Sequence, residues 1–169
     1  QARRALWSRE VPVGAVFIHS KTGALVHASF NRTNETFSVR ACSTIREDVL
    51  QTPDLEKRMR AVRRCKKLLR ECDLFVTVEP CIMCAGALAR MGLRRVVFGC
   101  GNGVFGGCGS VGDVHSPAAY PKDPYMSALR IRDKVLQPEA VNILRLFYLR
   151  GNVRAPKPQR PVDPTAPLN

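Results

Sequence analysis

Two apolar runs, residues 11–18 and 24–29, are separated by the polar link His19-Ser20-Lys21-Thr22-Gly23. Short, largely aliphatic runs joined by a glycine-terminated link predict a β-hairpin. A polar stretch covers 31–40, and 41–50 reads as a short helix that stops before Pro53. From there apolar side chains recur at Leu55, Met59, Val62, Leu68 and Leu69, while Lys57, Arg58, Arg60, Arg63, Arg64, Lys66, Lys67 and Arg70 fill the positions between. That period predicts an amphipathic helix with a basic outer face.

Leu74-Phe75-Val76-Thr77-Val78 has the β-branched density of a strand, and Glu79-Pro80 interrupts it before an Ala/Leu/Met-rich segment, 81–91. Proline suits a helix start and not a central strand, so the reading is strand, proline, helix. Gly92 stops the helix, and 95–98 forms the next strand. Strand, helix, strand at this spacing implies a parallel crossover. A glycine-rich loop at 99–112 holds Cys100 and Cys108, and 139–149 predicts a final helix. Beyond Gly151, Arg154, Lys157 and Arg160 lie among five prolines, which predicts an extended, mobile basic tail at 151–169 after a single domain at 1–150. The element order predicts an α/β fold, a three-layer α/β/α sandwich around a central mixed sheet.

Composition narrows the class of protein. The 169 residues are 45% hydrophobic and 24% charged, the make-up of a globular domain that can bury roughly 70% of its unfolded surface. No apolar run approaches the length of about 20 residues that spans a bilayer, and no charged-then-apolar leader opens the chain. An intracellular protein, cytoplasmic or nuclear, is expected, and the start at Gln1 leaves room for a preceding segment. Lys and Arg number 27 against 14 Asp and Glu, a formal +13. Such an excess points to a polyanionic partner, nucleic acid before an anionic membrane. Seven irregularly spaced cysteines suit a reducing compartment and a metal site better than a disulfide scaffold.

The segment Pro80-Cys81-Ile82-Met83-Cys84 puts two thiols at i and i+3, on one face of the first turn of a helix. The macrodipole and the free N–H groups there favour thiolate, which prepares the pair for a soft divalent ion such as zinc. Two other readings of the cysteines stand beside this one. Cys81 and Cys84 could be ordinary core residues, or Cys81, Cys84, Cys100 and Cys108 could form a four-cysteine zinc module.

Together, residues 76–88 (Val-Thr-Val-Glu-Pro-Cys-Ile-Met-Cys-Ala-Gly-Ala-Leu) and 10–16 (Glu-Val-Pro-Val-Gly-Ala-Val) resemble the zinc-dependent nucleoside deaminases. Within that class the chain is most similar to the tRNA-specific adenosine deaminases. Phe105-Gly106-Gly107-Cys108-Gly109-Ser110, Asn31 and residues 139–148 add to the resemblance, which runs from Glu10 to about Tyr148. It implies hydrolytic conversion of adenosine to inosine at the wobble position of a tRNA anticodon. Zinc-held water, its pKa lowered toward about 7, would attack C6 as hydroxide. A glutamate would carry the proton to the ring and then to ammonia, help that typically contributes about 10²- to 10⁴-fold. Asn31 resembles the family asparagine that hydrogen-bonds the target base. The basic helix, with Arg145, Arg150, Arg154, Lys157 and Arg160, would hold tRNA phosphates around the anticodon arm. A second deaminase-like subunit is the expected partner, with a homodimer as the alternative.

The family takes its first zinc ligand and its glutamate from one H-x-E, and this chain has none. Its histidines are His19, His27 and His115. Ungapped alignment from Asn31 through Asn34 and Thr36 puts Cys42-Ser43-Thr44 at that motif. Cys42 can replace histidine, because three-cysteine zinc sites occur in this class. Thr44 cannot replace the glutamate, since a hydroxyl with a pKa far above 7 neither accepts nor stores the proton. Glu47 would stand about 4.5 Å further along a helix axis, a poor substitute. The alternative function is therefore a catalytically silent subunit that binds tRNA, dimerises and keeps zinc as a structural ion.

Overall fold

Alternation within the strands divides the molecule into layers. The computed structural model describes residues 1–36, 55–119, 123 and 125–152. Its strands are β1 (Gly14–His19), β2 (Leu25–Phe30), β3 (Cys72–Val78), β4 (Arg95–Cys100) and β5 (Arg130–Arg132), in the sheet order β2-β1-β3-β4-β5. The helices are α1 (Ala2–Trp7), α2 (Thr33–Thr36), α3 (Leu55–Leu69), α4 (Ile82–Met91) and α5 (Gln137–Arg150). Phe17, Leu74, Val96 and Phe98 point to one face, where they form a core with Leu69 of α3 and Ala85, Leu88 and Ala89 of α4. The alternate positions meet α1 and α5, which bury Ala5, Leu6, Ala140 and Phe147 on the other side. The three expected layers and the mixed sheet are both present.

The hairpin pairs antiparallel, Gly14 opposite Phe30, and β1 also runs antiparallel to β3, Ala15 opposite Val76. Strands β3, β4 and β5 are parallel, so α4 is the crossover that the strand, proline, helix, strand pattern requires. A pair of arginines pins the start of that unit. Asp73 is 3% exposed, and it accepts from Arg94 Nε at 2.9 Å and from an Arg95 terminal nitrogen at 2.5 Å. Burial of the carboxylate is thereby offset by charge-assisted bonds that tie β3 to β4. At the far end, Gly99 lets α5 approach β4, because a Cβ there would lie 2.6 Å from Ala140 Cβ.

The structure differs from the pattern reading in identifiable places. Met59 and Leu68 are exposed rather than inward, whereas Leu69 enters the core and Val62 and Cys65 are half-buried. The apolar spacing could not rank five candidates on a helix whose buried stripe is narrow. α1 is six residues long and β5 three, too short for any period to show. α5 starts two residues earlier than expected, with a proline in its first turn, a position that proline favours. The helix expected at 41–50 lies outside the described residues.

Phe17 is 2% exposed at the centre of the α3/α4-facing core. Phe17→Ala is expected to lower unfolding free energy by about 3–5 kcal/mol, measured by urea denaturation.

Candidate functional site

The strand register gathers the candidate residues at one end of the sheet. Because β1 is antiparallel to β3, its first residue Gly14 lies beside the end of β3, where Glu79, Pro80 and Cys81 follow. Thr77 fixes this junction: its hydroxyl donates to Pro12 O at 3.3 Å and accepts from Gly14 N–H at 3.1 Å. Asn31 leaves β2 at the same end, its N–H bonded to Val13 O. The carboxyl ends of parallel strands are where open α/β sheets place their ligands.

Glu79 organises the end of β3. Its side chain is 2% exposed, and its two oxygens face backbone donors of the glycine loop. Oε1 accepts from Cys108 N–H at 2.8 Å and Ser110 N–H at 3.1 Å, and Oε2 accepts from Asn102 N–H at 2.9 Å. Burial alone would raise its pKa, but the Ser110 hydroxyl and the three backbone N–H groups together hold it below the ordinary carboxylate value. The loop must come close for this, and glycine permits it. A Cβ on Gly106 would collide with Glu79 Oε2, and one on Gly107 would stand 2.7 Å from Ile82 Cα.

The loop in turn grips the start of α4. Gly107 N–H donates to Pro80 O, Ile82 N–H donates to Phe105 O, both at 2.9 Å, and Cys81 pairs with Gly106 in an isolated bridge. Cys81 is the N-cap of α4 and makes no side-chain cap bond, so its sulfur is not consumed in capping. Cys84 follows in the first turn, as the i, i+3 spacing predicts. Two thiols at a helix N-terminus are the right donor type for zinc, and among the described residues no third His, Cys, Asp or Glu joins them. Cys42, Thr44 and Glu47 lie outside those residues.

The four-cysteine module is not formed. Cys100 is buried in β4 and donates toward Thr77 O at 3.6 Å, inside the sheet rather than beside α4. Cys108 lies near Cys81, but burial, helped by the charges of Glu79 and Cys81, pushes its thiol up to about 12. Among the described residues no three of these cysteines come together as a metal-binding group. His19 pairs with Glu71 at 3.0 Å, and His27 lies in β2 opposite Phe17.

A second buried carboxylate shapes the exit from β2. Glu10 is fully buried; it accepts from Asn34 N–H at 2.9 Å and Glu35 N–H at 2.7 Å, so it caps the short helix α2 from a distant part of the chain. Asn31 donates through Nδ2 to Glu10 Oε2 at 3.5 Å and accepts Thr33 N–H on Oδ1 at 3.3 Å. Each end of the amide keeps bonding capacity beyond these contacts. Arg145 is exposed on α5 and Arg150 half-buried at its end, whereas Arg154, Lys157 and Arg160 lie outside the described residues. Sequence reasoning missed the roles of Glu79 and Glu10. The available signal was the high glycine content of 99–112, which requires something polar for so many N–H groups to face.

Such a sheet, with a thiol pair opening its crossover helix, is that of deaminases with the cytidine-deaminase-like α/β fold. The chain belongs to the MafB19-like deaminase family, whose model matches residues 1–149. It is 39% identical over 161 residues to the tRNA-specific adenosine deaminase subunit tad2 of Schizosaccharomyces pombe, covering 94% of this chain and 37% of that relative. The chain thus spans well under half of that protein. It is 36% identical to tRNA-specific adenosine deaminase 2 of Danio rerio, over 94% of this chain and 70% of the relative. A solved structure from work on A-to-I editing by tRNA:A34 deaminases superposes with a TM-score of 0.57 at 28% identity, over 84% of this chain and 91% of that one.

Glu79→Gln places an amide NH₂ against backbone donors, at an expected cost of about 3 kcal/mol. The sign of the pH effect follows from the lowered pKa of Glu79. Its stabilisation is complete above the unfolded carboxylate value, about 4.3, and is lost as pH falls through the lower folded value. Urea unfolding across that range should show a limb of stability loss in the parent that is absent from the variant.

Proposed function

We propose that this chain is a tRNA adenosine deaminase subunit that converts adenosine to inosine hydrolytically at the anticodon wobble position. The observation that carries the reading is the clamp that Glu79 and the glycine loop place on Pro80 and Cys81, which presents a thiol pair at a helix N-terminus at the same end of the sheet as Asn31. The relatives named for tRNA adenosine deamination support it over most of the chain. Cys81 and Cys84 would hold zinc with Cys42 as third ligand, and the ion would supply activated water at neutral pH. Asn31 would orient the base through the remaining capacity of its amide, itself held by Glu10. The glycine loop backs the start of α4 through its bonds to Pro80 and Ile82. A flipped adenosine from an anticodon loop costs little to extrude, since loop bases are largely unstacked already. The word "subunit" in the yeast relative's name supports a second deaminase-like chain as partner.

One sequence observation favours the second reading, a silent subunit: no H-x-E is present, and Thr44 stands at its glutamate. The two readings separate by incubating the protein, alone and with a partner subunit, with tRNA carrying adenosine at the wobble position. Inosine, detected by nucleoside chromatography, is expected with zinc and should fall at least about 100-fold after chelation. No inosine with any partner would overturn the enzyme reading in favour of the silent subunit. Cys81→Ser and Cys84→Ser should each take bound zinc from one equivalent toward none by atomic absorption, because loss of one thiolate leaves too few ligands.

A further inference from the structure

Among the described residues, the contacts that build the fold and the site leave the outer face of α3 exposed. Lys57, Arg60, Arg63, Arg64 and Lys67 are exposed along it, and exposed Arg70 follows at its end. At about 100° per residue these six side chains fall within an arc of about 140°, opposite the face that carries Val62 and Leu69. Like charges three and four residues apart repel, and Arg60, Arg63, Arg64 and Lys67 are spaced in that way. A solvated helix normally interleaves acids at those spacings. Here Glu56 meets Arg60 at 3.5 Å in the first turn, and no acidic residue occurs between Lys57 and Arg70. Arg63, Arg64, Lys67 and Arg70 have no acidic partner within 4.0 Å among the described residues. The band is therefore a concentration of one sign, held against its own repulsion.

Position supports a function for it. Arg70 packs its side chain over Gly92, at the C-terminal end of α4, so the band ends one length of α4, about 15 Å, from Cys81. A second copy of this chain would bring the same positive band and be repelled. A phosphate backbone would relieve the repulsion and release counterions.

We propose that the exposed face of α3 is an RNA-backbone binding surface, which holds phosphates of the stem adjoining the loop whose base enters the site. That the RNA is a tRNA rests on the deaminase reading; the phosphate chemistry does not. Base selection at the start of α4 and backbone holding along α3 then fall to separate elements, the usual division between contacts that specify and contacts that position.

The test uses the full chain and fluorescein-labelled tRNA, with binding followed by anisotropy between about 50 and 200 mM salt. The variant carries Arg60→Gln, Arg63→Gln, Arg64→Gln and Lys67→Gln, all on exposed side chains. Its salt slope is expected to flatten by about three units, at about 0.7–0.9 per lost phosphate contact, with affinity down at least about tenfold. A companion with lysine at the three arginines should keep the slope, since charge and not shape carries the contact. Unchanged slope and affinity in the glutamine variant would overturn the proposal. So would loss of partner-subunit assembly, or of binding to phosphatidylserine vesicles, with tRNA affinity intact, because the surface would then belong to a protein or a membrane. A flattened slope without inosine from any partner sinks the deaminase reading and leaves this surface standing. Inosine formation with an unchanged slope does the reverse.

Discussion

The carboxylate of Glu79 is buried at the point where β3 stops and the cysteine-bearing helix begins, and most of the candidate site is built around it. Removing a carboxylate from water costs several kcal/mol unless donors replace its hydration. The donors come from Asn102, Cys108 and Ser110, residues spread over one loop, so satisfying the charge requires the loop to close. Once closed, the loop's remaining groups have fixed places: Gly107 N–H reaches Pro80 O, and Phe105 O receives Ile82 N–H. Cys81 sits between those two bonds. One electrostatic requirement is thereby converted into the placement of a thiol.

The same device recurs at Glu10 with a different outcome. There the carboxylate caps α2 and restrains Asn31 from a distant part of the chain, whereas the metal-ligating candidate Cys81 is held by the loop that the neighbouring Glu79 closes. Asp73 marks the contrast. It answers the same burial problem with two arginines instead of backbone donors, and the consequence is structural, since a guanidinium pair joins two strands but organises no loop. Backbone N–H groups suit a site because they arrive already attached to a loop whose path they define.

What the sequence revealed depended on the range of the interactions involved. The hairpin, the parallel crossover and α4 were legible because their signals are local: alternation, a proline at a helix start, a glycine at its end. Cys81 and Cys84 were legible for the same reason, three residues apart on one turn. Glu79 was readable only as the residue before a proline and as part of a resemblance, since its partners lie more than twenty positions downstream. Glu10 was readable only as part of a resemblance, since it caps a helix that starts more than twenty residues later. Short α1 and β5 owe their existence to the sheet they pack against and carry no period of their own. The misassigned Met59 and Leu68 belong to a helix whose charge pattern was clearer than its apolar one.

Placement and chemistry are separable in this chain. The glycine loop, Glu79, Pro80 and the Asn31 segment are held by hydrogen bonds among the described residues, and Cys42-Ser43-Thr44 lies outside those residues. The sequence departs from its family in that stretch and keeps Glu10, Glu79, Cys81 and Cys84 elsewhere. Because the clamp on Cys81 is satisfied by protein groups alone, its closure does not wait for an ion. Thr44 at the family's glutamate bears on proton transfer, while the presentation of Cys81 and Asn31 at the carboxyl end of the sheet is set by hydrogen bonding among the described residues.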